Sequence, residues 1–106
     1  MELRVEREYR INLQPLVDAH GTGKEIFSGL QVVESGVRDS DGKLVNGAKT
    51  LQLVTYDENE SFVTCDSSIV EVLDKYDDGR VELRDVYDGG RFTLDIDDAL
   101  LVLTEI

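Results

Sequence analysis

Residues 69–106 read IVEVLDKYDDGRVELRDVYDGGRFTLDIDDALLVLTEI, and their punctuation decides the fold. Ile69 to Tyr76, Arg80 to Tyr87 and Arg91 to Ile96 each alternate apolar with polar residues. Asp77-Asp78-Gly79, Asp88-Gly89-Gly90 and Asp97-Asp98 separate these segments from one another and from a final segment, Leu100 to Ile106. Short alternating strands joined by two or three turn residues make an antiparallel meander. Parity then assigns the faces. Val81 and Leu83 share one side with Phe92, Leu94 and Ile96; Glu82, Arg84, Arg91, Thr93 and Asp95 take the other. Burying a large apolar side chain stabilises by about 1.5–3 kcal/mol, against a few tenths for a cross-strand charge pair, so the apolar face sets the register.

The same period extends upstream. Leu3, Val5, Tyr9, Ile11 and Leu13 fall on one parity, which predicts a long strand with a bend near Arg7, where the apolar face is interrupted. Pro15 ends it, and Leu16 to His20 is expected to form one helical turn closed by Gly21, the only helix anticipated. A glycine-punctuated loop follows around Ile26 and Phe27. Leu30 to Val37 is the next strand, with the Val32-Val33 pair indicating burial on both faces or a bulge. Asp39-Ser40-Asp41-Gly42 and Asn46-Gly47 each read as a hairpin turn, flanking a brief Lys43-Leu44-Val45 strand. Strands ending at Tyr56 and covering Phe62 to Cys65 complete the set. The expected fold is all-β: a single domain over residues 1–106, a small antiparallel barrel or sandwich of about eight short strands that ends in the C-terminal meander, with at most one helical turn near residues 15–20.

Charge narrows the function. Twenty-three acidic residues against 11 basic ones give a formal charge of −12. Bare nucleic acid and anionic membrane surfaces are thereby disfavoured, and a basic protein surface is favoured. No apolar run reaches the ~18 residues of a membrane span and Met1 opens no signal-like segment, so a cytoplasmic, soluble protein is expected. Cys65 is the only cysteine, which excludes an internal disulfide.

Chemistry-bearing motifs are sparse. His20 is the only histidine and has no second imidazole to join it in a metal site; at a helix end it suits the carbonyl dipoles. Asp66, next to Cys65, opposes a reactive thiolate. Gly21-Thr22-Gly23-Lys24 lacks the upstream glycine of a phosphate-binding loop, and Glu25 stands where the hydroxyl residue belongs. Asp39 and Asp41 begin a sequence like a calcium loop but lack the later acidic ligands, which leaves a loop-bound calcium or magnesium ion as a minor alternative.

The remaining candidates are Asp77, Asp78, Asp88, Asp97 and Asp98. Hairpin geometry puts Asp77-Asp78 and Asp97-Asp98 at one end of the meander and Asp88 at the other. This row of negative charge could imitate a phosphate backbone. The expected function is a non-enzymatic binding module, with no cofactor, docking on a basic partner. It would inhibit a nucleic-acid-binding enzyme, as small acidic proteins of viral counter-defence do by analogy. The alternative is a structural subunit of a larger, for example viral, assembly, forming homo-oligomers through the N-terminal strand.

Overall fold

Alternation becomes burial in the computed structural model, which describes residues 2–26 and 29–106. The chain order is β1 (Glu8–Ile11), α1 (Gln14–His20), β2 (Leu30–Arg38), β3 (Leu44–Thr55), β4 (Phe62–Cys65), β5 (Ile69–Lys75), β6 (Arg80–Asp85), β7 (Arg91–Asp95), α2 (Ile96–Val102) and β8 (Leu103–Glu105). The strands form two antiparallel sheets, β7-β6-β5-β1-β8 and β2-β3-β4. The arrangement is sandwich-like and does not close into a barrel. An open cleft of about 480 Å³ lies between Leu30 and Val63 of the smaller sheet and Arg80, Arg91 and Phe92 of the larger one. Phe27 of the expected loop lies outside the described residues.

The meander pairs as its parity requires. Val81 faces Leu94 and Leu83 faces Phe92 across β6 and β7, and all four are buried. Val70 and Val72 of β5, Tyr9 and Ile11 of β1, and Val32 and Leu53 of the smaller sheet join the same core. Leu16 of α1 and Ala99 and Val102 of α2 close one side of it. Pro15 stands in the first turn of α1, and Gly21, at φ 87°, ends that helix by donating its N–H to the Val17 carbonyl.

Three expectations are corrected. The N-terminal strand is short because Glu6 adopts a left-handed φ of 69°, which turns the chain before Glu8. Leu3 is still buried, but Val5 points to solvent at 47% exposure. Asn46-Gly47 is not a hairpin turn. Asp39 already reverses the chain: its side-chain oxygen accepts the N–H groups of Asp41 and Lys43. Gly47, at φ 76°, lies inside β3, where pairing steps from Gly36–Lys49 to Arg38–Leu44 and surplus β3 residues bulge out.

The third correction concerns the C-terminus. Asp97-Asp98 is no turn and Leu100–Ile106 is no single strand; a second helix, α2, runs through Val102 before the three-residue β8. Five consecutive apolar residues, Ala99 to Leu103, break the alternation. Helical winding buries Ala99 and Val102 and leaves Leu100 and Leu101 outside. Asp97 and Asp98 in the first turn favour the helix through its dipole.

Candidate functional site

The acidic residues divide by what their oxygens do. Asp39, Asp57, Asp78 and Asp85 each accept a main-chain N–H of their own turn, and Asp66 accepts that of Leu13 before α1, 53 residues away. Aspartate suits this task because its short side chain reaches a neighbouring backbone donor without disturbing the chain. Five of the 23 acidic residues are thus engaged in holding the backbone.

Asp85 goes furthest in this direction. It is 1% exposed, at the end of β6 on the same parity as Val81 and Leu83. One carboxylate oxygen accepts the Thr64 hydroxyl at 2.6 Å; the other accepts the N–H groups of Tyr87 at 2.8 Å and Asp88 at 3.1 Å. It ties β4 of the smaller sheet to the β6–β7 turn of the larger one. Sequence reading passed over it, although an aspartate on an apolar parity just before a turn is a readable signal.

The five predicted residues separate into three environments. Asp77 and Asp78 sit at the β5–β6 turn, and Asp97 at the start of α2. The Ile96 N–H donates to the Gly79 carbonyl at 2.7 Å and Arg80 pairs with Asp95 in the ladder, so the turn and the helix start lie side by side. Asp88 lies in the β6–β7 turn, at the other end of β6. Asp98 is turned inward, 8% exposed, with its Oδ1 3.1 Å from Nε2 of His20. This contact clasps the end of α1 to the first turn of α2, and no local pattern announces it because the two residues are far apart in sequence.

Cations divide the exposed acids further. Arg80 places Nε 2.7 Å from Asp78 Oδ2 and its guanidinium over the Tyr76 ring, 5.2 Å from the centroid. The Tyr76 hydroxyl donates to Glu82, and that hydrogen bond, with the nearby negative charges, raises the Tyr76 pKa above the ordinary phenol value. Arg84 bonds Glu71 at 2.9 Å and Arg91 approaches Glu82 at 3.7 Å. The outer face of the meander is therefore an ion-pair lattice, as its parity predicts. Asp77, Asp88 and Asp97 make no ion pair among the described residues and are exposed.

Other candidate chemistry is weakly assembled. Among the described residues, no three His, Cys, Asp or Glu side chains are grouped to hold a metal ion. Cys65 is half-buried, with its sulfur 3.8 Å from the Leu51 carbonyl oxygen and 3.9 Å from the Thr50 hydroxyl. No described helix is long and apolar enough to cross a membrane. Both edges of β1 are occupied, by β5 and β8, so that strand offers no free edge to a neighbouring subunit. No family model, curated protein or solved structure matches the chain.

Proposed function

We propose that the chain is a non-enzymatic binding module whose acidic surface docks on a basic protein partner. Where that partner binds nucleic acid, the docked module inhibits it by occupying the phosphate path. The observation that carries this reading is the placement of exposed carboxylates, without an ion pair among the described residues, at both ends of one strand. Asp77 and Asp97 stand together at one end of β6 and Asp88 at the other, separated by roughly 20 Å for six residues of strand. Asp78 adjoins Asp77 in the same turn but shares its charge with Arg80. Asp98 belongs to the interior clasp and contributes through the position it gives α2.

Contacts between exposed charges act mainly through attraction at a distance, so they accelerate association and fade with salt. The test is binding to basic nucleic-acid-binding proteins across a salt series, with duplex DNA as competitor. Affinity should fall steeply as ionic strength rises from about 0.01 to 0.15 M, over which screening shortens from about 30 to 8 Å. Asp77→Lys with Asp97→Lys should weaken binding further, and DNA should displace the chain. Association indifferent to both salt and charge reversal contradicts the proposal.

A further inference from the structure

The β2–β3 hairpin departs from the rest of the molecule in two ways. No residue from Val33 to Gln52 is fully buried, so this ribbon adds little to the core. Residues 34–49 also carry three acids (Glu34, Asp39, Asp41) and three bases (Arg38, Lys43, Lys49), so the formal charge of −12 resides in the remainder of the chain. The long axis of the molecule measures 43 Å against 27 and 23 Å for the others.

β2 is the outer strand of its sheet. Its outward carbonyls belong to even-numbered residues: Leu30 accepts from Ile26 and Val32 from Gly23 of the loop after α1. Period two continues this direction to Glu34, Gly36 and Arg38, whose outward main-chain groups meet no partner among the described residues. The surplus residues of the irregularity at Gly36–Arg38 lie in β3, which leaves the outer edge of β2 regular.

We infer that this edge is a self-association site, where β2 pairs antiparallel with β2 of a second copy about a two-fold axis at Gly36. The segment Glu34-Ser35-Gly36-Val37-Arg38 is complementary to its own reverse. With Gly36 opposite Gly36, Glu34 of each copy stands opposite Arg38 of the other. These are the even residues whose main-chain groups point outward, so they meet as hydrogen-bonded pairs. Charge selects a second copy as the occupant. Two bodies of −12 repel each other, and a neutral ribbon lets them associate at a distance from the repelling surfaces. A basic partner, by contrast, is drawn to the body.

The existing contacts of these side chains are compatible with the exchange. Glu34 lies 3.5 Å from Lys49 with both largely exposed, and Arg38 donates to the Gly42 carbonyl at the exposed tip. Exposed contacts of this kind contribute little in water. Leu44, 62% exposed, lies across Gly36, where an added Cβ would come within 2.8 Å of its Cδ2. The two-fold axis brings both Leu44 side chains to one face of the resulting six-stranded sheet.

The experiment is sedimentation equilibrium of the full chain from about 1 μM to about 1 mM. It is run on the native sequence, Glu34→Arg, Arg38→Glu and the double exchange, with circular dichroism to verify folding. The native chain should dimerise. Each single exchange places like charges opposite each other twice and should weaken the dimer about tenfold. The double exchange should restore it. A native chain that stays monomeric throughout overturns the inference. So does a dimer that ignores the single exchanges, or one that the double exchange fails to restore. Acidic docking is independent of this edge and survives such a failure.

Discussion

The meander and the β2–β3 hairpin are both antiparallel ribbons, yet only the base of the hairpin, with Leu30, Val32 and Leu53, joins the core, and its distal half does not. In β5, β6 and β7 the apolar residues of one face are covered: Val70, Val72, Val81, Leu83, Phe92 and Leu94 are all buried. In the distal half of β2 and β3 neither face is covered, and the adjacent Leu44 and Val45, which point to opposite sides, are both exposed. Period two specifies that a strand has two faces. Whether a face is buried depends on what the rest of the chain places over it, here β1, both helices and the base of the smaller sheet.

The largest contrast should appear in truncations. Leu83→Ala should cost about 2–5 kcal/mol, because it opens a cavity beneath β7. Leu44→Ala should stay within about 0.5 kcal/mol of the parent. Chemical denaturation measures both, and equal costs would erase the distinction between body and ribbon. Asp85→Ala should cost about 3 kcal/mol. It strands the buried Thr64 hydroxyl and frees the Tyr87 and Asp88 amides. Its counterpart on the ribbon, Asp39→Ala, removes acceptors only from an exposed turn and should cost under about 1 kcal/mol.

Smaller effects sharpen the picture at the rim of the body. Asp98→Ala should cost about 1–2 kcal/mol, through loss of the His20 contact and of a first-turn acid in α2. Thermal unfolding of this variant and of His20→Ala tests whether the two residues act as one clasp, in which case the double variant loses less than the sum of the singles. Tyr76 offers the smallest signal. Its raised pKa means that the neutral phenol is favoured in the folded chain. The associated stabilisation is present below the ordinary phenol pKa and disappears as pH rises through the raised value. In ultraviolet titration, Glu82→Gln should move Tyr76 back toward its ordinary value.

What was legible in the sequence follows from the range of the interactions. The meander, its faces and the outer ion-pair lattice are readable because strand pairing across a two- or three-residue turn is local. α1 is readable from Pro15 and Gly21. α2 was hidden because Asp97-Asp98 resembles the preceding acidic turns; the unbroken Ala99–Leu103 run was the contrary signal. Asn46-Gly47 has hairpin chemistry, but a reversal completed at Asp39–Lys43 left it nothing to turn. At the candidate site, Asp77, Asp78, Asp88 and Asp97 stand where hairpin geometry puts them. The inward turn of Asp98 required knowing that α1 meets α2, and the closed edges of β1 required knowing that β8 returns beside it.

The division between a covered body and a ribbon with one free edge is tested most directly by residue-resolved amide hydrogen exchange of the dilute chain. Val72 and Leu83 should be the slowest class. Along β2, Val33 and Ser35, which face β3, should be protected, while Glu34 and Gly36 exchange nearly as fast as the Asp39–Lys43 turn. Protection of Glu34 and Gly36 equal to that of their odd-numbered neighbours, at concentrations where the chain is monomeric, would contradict the account.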